Sequence, residues 1–190
     1  MTIIRKAMPE DAEAMTRIRA KCWIYAYDGI FEQKIIEENT NEEFIQRSYK
    51  EREKSIAEPS ENDIYIVAVD DKGKILGFVS GGDVSEKRLK TDRELLFLYV
   101  DPAAHKQGLG RELMVAFAKE CLAQNVDTFG LGCITKNKST DFYKHLGGKP
   151  LFEVPGTFVE PKTYFGYSVK DFLQKSHYLA SKHKPEDLNI

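Results

Sequence analysis

The sequence predicts a mixed α/β fold, and three features of its hydrophobic pattern carry that prediction. Apolar residues before Ile64 recur mostly at helical spacing, whereas strand-like patterns dominate after it. Residues 95–100 form a continuous apolar run, as expected for a strand covered on both faces. A helical repeat over residues 108–125 then leads to a further strand. The element order is therefore β-α-α-β-β-β-α-β-α-β-β.

The chain is expected to begin with a strand followed by a helix. Residues 2–7 are predicted to form the strand. Pro9 starts the helix, because proline suits a first helical turn and the acidic residues behind it complement the helix dipole. Helical spacing includes Arg19 and continues to Cys22, where an aromatic cluster follows: Trp23, Tyr25 and Tyr27. Gly29 then marks a turn.

A second, highly charged helical stretch spans residues 35–56 and is expected to break near residues 39–41. Thr40 or Asn41 could cap its second half. A β-hairpin follows, because two β-rich runs flank a turn that contains a glycine. Its strands are predicted at residues 64–69 and 75–79.

The second half of the chain continues the alternation of helices and strands. The charged run 86–93 is expected to be a solvated loop. Gly130 and Gly132 lie inside a predicted strand, which suggests close approach of a ligand or of another backbone. The remaining elements are a strand at 128–134, a short helix at 138–146, a strand at 164–169, and one or two amphipathic turns around Phe172, Leu173 and Leu179 before a polar tail.

Composition predicts one domain over residues 1–190, of which the last 15–20 are the tail. The formal net charge is only −2, so neither a nucleic acid nor a membrane is expected as partner. No apolar run is long enough to span a bilayer. The three cysteines, Cys22, Cys121 and Cys133, form no CxxC pair, which favours a reduced, cytoplasmic setting. His105, His145, His177 and His183 show no metal-ligand spacing, so no metal is expected.

The most informative segment is the glycine-containing turn that joins the apolar strand to the helix beginning at Gly108. Free N–H groups of a first helical turn bind anions, and glycines let a phosphate approach the backbone. A P-loop is excluded, because Leu109 follows Gly108 and Arg111 follows Gly110. The dinucleotide fingerprint fails because Leu113 stands where its third glycine belongs.

This segment resembles the GNAT superfamily of acyl-CoA-dependent N-acetyltransferases. Their signature, Arg/Gln-x-x-Gly-x-Gly/Ala after Val-x-Pro, stands here as His105-Lys106-Gln107-Gly108-Leu109-Gly110 after Val100-Asp101-Pro102, with a histidine in its first position. A second segment, residues 137–148, looks like the family's Asn…Phe-Tyr-x-x-Leu-Gly-Gly/Phe element. The similarity reaches residues 18–30 and covers nearly the whole chain. It implies a mostly antiparallel central sheet of about six to seven strands flanked by helices.

The resemblance implies acetyl-CoA as co-substrate and an amine of a small molecule, amino acid or peptide as acceptor. Backbone amides of Lys106, Gln107, Gly108, Leu109, Gly110 and Arg111, beside His105, would hold the pyrophosphate. The backbone edge of Leu98, Tyr99 and Val100 would pair with the pantetheine arm and polarise the thioester carbonyl. Asn137 is expected either to bind the cofactor arm or to cap the following helix.

Tyr143 is the expected general acid, because a phenol can protonate the departing thiolate. Glu94 is a candidate base, since alkylamines are mostly protonated at neutral pH. Trp23, Tyr27 and Asp28 are expected to contact the acceptor, with ring faces suited to a cation and Glu32 as a further carboxylate. Cys133 invites an acyl-enzyme alternative, although a buried structural thiol is favoured.

The sequence leaves several alternatives open. It names neither the amine nor the length of the acyl chain, and it leaves the oligomeric state undecided, a homodimer included. A CoA-binding regulatory module of the same fold without turnover is one alternative function. A plain nucleotide-binding α/β domain, which would prefer ATP or NAD to CoA, is another.

Overall fold

Seven strands form one sheet in a computed structural model that describes residues 2–156 and 160–182. The strands are β1 (Ile3–Lys6), β2 (Ile64–Val69), β3 (Ile75–Gly82), β4 (Arg93–Val100), β5 (Thr128–Ile134), β6 (Lys149–Val154) and β7 (Lys162–Ser168). Their order across the sheet is β1-β2-β3-β4-β5-β7-β6. All neighbours are antiparallel except β4 and β5, which run parallel. This confirms the mixed, mostly antiparallel fold. The bounds of β6 had not been predicted.

Six α-helices of the described residues flank the sheet. They are α1 (Ala12–Tyr27), α2 (Gln33–Glu38), α3 (Glu42–Ala57), α4 (Leu109–Ala123), α5 (Ser139–His145) and α6 (Val169–Lys182). In the part of the chain that the structure describes, none is long and apolar enough to cross a membrane. The last helix is longer than the one or two turns predicted. The side chains of His177 and Leu179 lie outside the described residues, as does all of His183.

The predicted break in the second helical stretch is confirmed, because α2 ends at Glu38 and α3 begins at Glu42. Of the two candidate caps, Asn41 fills the position: its Oδ1 accepts a 2.8 Å hydrogen bond from the amide of Phe44. The aromatic cluster at residues 23–27 belongs to the last turns of α1. These rings therefore lie at the helix end that faces α2.

The two faces of the sheet carry separate apolar cores. One core packs α4 and α6 on the sheet around a cluster of four buried rings: Phe117, Phe129, Tyr167 and Phe172. The other packs α1 and α3 on β2 and β3, with Met15 and Phe78 fully buried between them. Burial of apolar area on both faces is the main favourable term in holding such a layered domain together.

The prediction that residues 95–100 are covered on both faces is wrong. Strands β4 and β5 pair only at Arg93↔Phe129 and Glu94↔Gly130, after which they part. Leu95 is buried, but Leu96 is 45% exposed and Phe97 37% exposed, and residues 98–100 are half-buried. The apolar run therefore borders an opening in the sheet, which we call the β4–β5 wedge.

Two other expectations about this region need correction. The space beside Gly130 is filled by the Leu89 side chain, and that beside Gly132 by the side chains of Lys162 and Tyr164. Both glycines thus accommodate neighbouring side chains and not a backbone or a ligand. Leu89 is only 3% exposed, so the charged run 86–93 is not a wholly solvated loop. One apolar residue anchors it on the sheet.

We expect Asn41→Ala to lower the free energy of unfolding by about 1 kcal/mol, because it removes the side-chain acceptor at the start of α3. Urea denaturation measures the change. Asn41→Ser is the matched control, since serine also caps helices and should retain most of the stability. An equal loss in both variants would show that the cap does not stabilise the helix.

Candidate active site

A rigid turn connects the exposed end of β4 to α4. The carboxylate of Asp101 stabilises this turn. It accepts a 3.0 Å hydrogen bond from the amide of Ala103 and forms a 3.1 Å ion pair with Lys21 of α1. Burial alone would raise the pKa of Asp101. The contacts with Ala103 and Lys21 together lower it by a larger amount, so the net shift is downward. The carboxylate therefore stays ionised and keeps the turn in place at neutral pH.

The backbone after this turn is shaped as an anion site. Lys106 has a φ of 63° and Gly108 a φ of 75°, and α4 begins directly afterwards. Within residues 2–156 and 160–182, no hydrogen bond within the protein uses a backbone N–H of residues 106–111. A Cβ on Gly108 would meet no atom within 4 Å, so the space beside it is open. Free amides, open space and the positive end of a helix dipole together suit a phosphate.

Gly110 has a different task from Gly108. A Cβ at this position would lie 3.3 Å from the ring of Phe142 on α5. The glycine thus lets the first turn of α4 approach the helix that carries Tyr143. The two motifs singled out in the sequence, 105–110 and 137–148, are therefore in contact.

Some backbone groups on the edge of β4 that faces the wedge have hydrogen-bond partners and others do not. The amide of Asp101 donates to the carbonyl of Leu76 on β3. Because backbone groups alternate in direction along a strand, those of Leu98 and Val100 point away from β3, toward the wedge. The carbonyl of Val100 accepts from the Cys22 thiol at 3.1 Å and lies 3.0 Å from Nε2 of His105. His105 thus holds the end of β4 in place, and the backbone N–H and C=O groups of Leu98 face the opening.

Three tyrosines meet at the wedge: Tyr27 from α1, Tyr99 from β4 and Tyr143 from α5. Burial raises the pKa of each above its ordinary value, most strongly for Tyr143, whose neighbours Cys133 and the other tyrosines add to the effect. No hydrogen bond to the Tyr143 hydroxyl is found among the described residues. Its backbone carbonyl accepts a 2.9 Å hydrogen bond from Tyr167, which positions α5.

Of the two roles expected of Asn137, the structure shows the one at the following helix, and binding of a cofactor arm stays a prediction. Its side-chain oxygen accepts a 2.8 Å hydrogen bond from the amide of Ser139, and its backbone carbonyl accepts from Thr140. It therefore stabilises the start of α5. The Asn137 side chain is also near the Tyr27 hydroxyl and lowers the pKa of Tyr27 against the larger effect of burial.

Glu94 lies at the closed end of the wedge, where β4 and β5 still pair. The residue is buried, and its Oε2 accepts three hydrogen bonds, from the amide and the hydroxyl of Ser85 at 2.7 Å each and from the amide of Glu86 at 3.3 Å. The carboxylate thus anchors the loop after β3. All three bonds use one oxygen.

The residues expected to contact an acceptor are arranged differently from that expectation. The guanidinium of Arg19 lies 4.5 Å from the centre of the Trp23 ring, which also stacks on Phe31. Trp23 donates a 3.1 Å hydrogen bond from Nε1 to the Tyr99 hydroxyl. A cation of the protein itself therefore occupies a ring face that the sequence suggested for a substrate. Tyr27 packs against Trp23, while Asp28 and Glu32 are exposed.

Sequence reasoning missed the cationic side of this cluster. Arg19 of α1 and Arg52 of α3 both approach the rings that border the wedge. The available signal was the position of Arg19 among apolar residues at helical spacing, which places it on the buried face of its helix. Arg52 carried no comparable signal.

Cys133 is buried on β5, and burial raises its pKa to about 12. Cys22 and Cys121 have pKa values raised to about 12 for the same reason. Thiols of this kind are poor nucleophiles, because the thiolate is the reactive form. Among the residues described, no group of three histidine, cysteine or acidic side chains is placed to hold a metal ion.

Comparisons with known proteins agree with this geometry. The family model of the Acetyltransferase (GNAT) family matches residues 13–147. The uncharacterized N-acetyltransferase YuaI of Bacillus subtilis (strain 168) is 26% identical over 160 residues, which cover 82% of this chain and 87% of YuaI.

Solved structures show the same fold. The PaiA N-acetyltransferase of Thermoplasma acidophilum, in complex with coenzyme A, aligns with a TM-score of 0.73 at 21% identity over 88% of this chain and 99% of its own. The putative acetyltransferase YncA of Salmonella typhimurium, with its cofactor acetyl-CoA, aligns with a TM-score of 0.64 at 19% identity over 88% and 94%. At these identities the likeness concerns the fold.

The raised thiol pKa values predict that the folded protein resists alkylation. At about pH 8, a thiol of pKa about 12 is ionised in only about one molecule in 10⁴, whereas an ordinary cysteine is substantially ionised. Iodoacetamide should therefore leave Cys22, Cys121 and Cys133 unmodified until urea unfolds the chain, as intact-mass spectrometry would record. Rapid modification of Cys133 alone in the folded state would instead indicate an activated nucleophile.

Proposed function

This chain belongs to the GNAT family of acetyltransferases, and from that premise we propose that it transfers the acetyl group of acetyl-CoA to a primary amine of a small molecule, amino acid or peptide. The amine attacks directly while both substrates are bound. The observation that carries the proposal is the β4–β5 wedge, with backbone amides free of hydrogen bonds to the described residues at its outer end and with Tyr143 near Cys133 of β5 and Tyr99 of β4.

The pyrophosphate of acetyl-CoA is assigned to the amides of residues 106–111. Their open space and the helix dipole of α4 support this assignment. The pantetheine arm would lie along β4 as an added strand, where the backbone groups of Leu98 lack a neighbouring strand. Val100 contributes less than the sequence suggested, because Cys22 and His105 already contact its carbonyl.

The thioester carbonyl is assigned to the amide of Leu98, the backbone donor of β4 that faces the wedge. Acetyl-CoA supplies an acyl group on sulfur, which a neutral amine can attack. The new C–N bond forms, the C–S bond breaks, and its electron pair leaves with the sulfur. The amine loses a proton and the sulfur gains one, so the products are the N-acetyl amide and free CoA.

Tyr143 is the proposed donor of the proton that the sulfur gains. Its hydroxyl has no other partner in the described part of the chain, and the bond from Tyr167 to its carbonyl holds the helix in place. Because burial raises its pKa well above 10, the phenol remains protonated throughout the neutral range. Cys133 is not needed, since its thiol is buried and poorly ionised.

Glu94 is the proposed general base, acting on the amine through a water molecule. Its position at the closed end of the wedge supports this role. Three hydrogen bonds to Oε2 hold the carboxylate in one orientation while leaving Oε1 free of bonds to the described residues. The loop contact and the base role are therefore compatible.

We expect Tyr143→Phe to lower kcat by about 10²–10⁴-fold, since it removes a proton donor at the reacting sulfur. Free-thiol release with a panel of amines measures the rate. Calorimetry with CoA is the control and should show unchanged binding, because the phosphate site is separate. CoA binding without thiol release from any amine in the unaltered protein would contradict the proposed function and favour a CoA-binding module. Preference for ATP or NAD would favour a nucleotide-binding domain.

We expect Glu94→Gln to lower kcat/KM about 10²-fold at neutral pH, because an amide cannot accept the amine's proton. Ser85→Ala is the matched control: it removes one hydrogen bond to the carboxylate and leaves the base. Equal kcat/KM for Glu94→Gln and the unaltered enzyme would exclude Glu94 as the base.

A further inference from the structure

Two arginines near the wedge, one buried and one half-buried, have no acidic partner among the described residues. Arg19 is only 8% exposed, and Arg52 is half-buried. In the part of the chain that the structure describes, neither forms an ion pair with a carboxylate. Each makes one side-chain hydrogen bond: Nη1 of Arg19 to the carbonyl of Asn39 at 3.0 Å, and Nε of Arg52 to the Thr16 hydroxyl at 3.2 Å.

Aromatic rings hold both guanidinium groups in place. Arg19 lies between Trp23, at 4.5 Å, and Phe44, at 4.7 Å. Arg52 lies 4.9 Å from Phe78 and 5.6 Å from Phe97. We call these two arginines and their four rings the arginine pocket. Ring faces attract cations but offer no hydrogen-bond acceptor, so most of the guanidinium donors remain available.

The positive charges of Arg19 and Arg52 destabilise the arginine pocket unless an anion binds beside them. Burial and, to a smaller extent, the nearby charge of Arg19 lower the pKa of Arg52 to about 10. Burial also lowers the pKa of Arg19. No carboxylate of the described chain neutralises either group, although unpaired buried charges destabilise a fold. An arrangement of this kind is suited to a ligand that brings the missing negative charge.

The pocket is continuous with the proposed reaction centre. Phe97 and Tyr99 are neighbouring rings on one face of β4, 6.3 Å apart, and Leu98 lies between them in sequence. Trp23, under Arg19, donates to the Tyr99 hydroxyl. Tyr99 and Tyr27 are in turn neighbours of Tyr143. A small molecule in the pocket could therefore reach the wedge, on the side of the sheet that carries α1 and α3.

We propose that Arg19 and Arg52 bind an oxyanion, a carboxylate or a phosphate, that the acceptor amine carries on the same molecule. This inference rests on the proposed function and names the class of its acceptor. The planar guanidinium fork matches both oxyanions and binds them with two parallel hydrogen bonds. Arg52 supplies the main contact, because it has two terminal nitrogens free of hydrogen bonds to the described residues. A second ammonium on the acceptor would be repelled.

The test is a comparison of acceptors of similar length. Thiol release is measured with β-alanine, aminoethyl phosphate, n-butylamine and 1,3-diaminopropane. β-Alanine and aminoethyl phosphate should exceed n-butylamine and 1,3-diaminopropane by at least about tenfold in kcat/KM, as expected for a charge-assisted hydrogen bond. The ratio of β-alanine to aminoethyl phosphate distinguishes carboxylate from phosphate. Equal or greater rates with the diamine would overturn the proposal while leaving the proposed function intact.

Arg52→Met tests the residue itself. It keeps the apolar stem and removes the charge, and should lower kcat/KM for acidic amines at least about tenfold, chiefly through KM, without affecting n-butylamine. Arg17→Gln, an exposed arginine on α1, is the matched control and should change neither. Loss of activity toward all amines alike would overturn the proposal, whereas absence of turnover in the unaltered protein would refute the proposed function.

Thermal unfolding separates binding from a structural role. Because Arg52 has no carboxylate partner, Arg52→Met should keep the Tm within about 2 °C of the unaltered protein or raise it. Arg52→Lys is the companion variant: it retains the charge without the fork and should recover part of the acidic preference. A large fall in Tm together with an unchanged order of acceptors would show that Arg52 only packs against the rings.

Discussion

Strands β4 and β5 separate after only two residue pairs, and this separation determines where the candidate site lies. Strand β5 is paired with β7 at seven positions, and β4 is paired with β3 along most of its length. Strands β4 and β5, in contrast, are paired with each other at only two positions. Each is thus fixed by its other neighbour, and the sheet divides between them. A strand edge inside a sheet leaves backbone donors and acceptors to be satisfied. The side chains of Cys22 and His105 contact one such group, the carbonyl of Val100. The backbone groups of Leu98 remain available to another partner.

Parallel pairing also determines where the anion site lies. A parallel neighbour requires a crossover, and the crossover here is α4. Its first turn must start beside the end of β4, where the two strands have already separated. The amides of residues 106–111 therefore lie at the outer end of the opening, and α5 approaches them through Gly110. The glycine motif and the wedge are consequences of one topological choice.

Local signals in the sequence were sufficient for much of the fold. The turn at Gly108 needs a left-handed backbone that glycine adopts easily, and the break before α3 needs a capping side chain, which Asn41 supplies. The run 95–100 misled because apolar residues at the edge of an opening in a sheet look the same in sequence as those of a fully covered strand. Which of the two applies depends on how far β4 pairs with β5, a long-range property. Pairs such as Gly130 with Leu89 are equally invisible to local patterns.

The candidate site was predictable only where its residues are close in sequence. Residues 105–111 and 137–148 are two short motifs, and each indicated its own chemistry. The arginine pocket instead joins α1, α3, β3 and β4, whose members are far apart along the chain. Its composition also bears on the expected amine contacts: cations of the protein already lie over the rings of Trp23 and Phe97.

The chemistry of the site then divides between two kinds of group. The buried phenol of Tyr143 has a pKa well above 10 and stays protonated across the neutral range, so it contributes no ionisation to the pH dependence there. Any such dependence must arise from the acceptor amine and its base. An oxyanion bound by nearby arginines would raise the amine's proton affinity, while the two guanidinium charges would lower it. The balance between them determines how much of the bound amine is neutral, and therefore how strongly the reaction depends on a base.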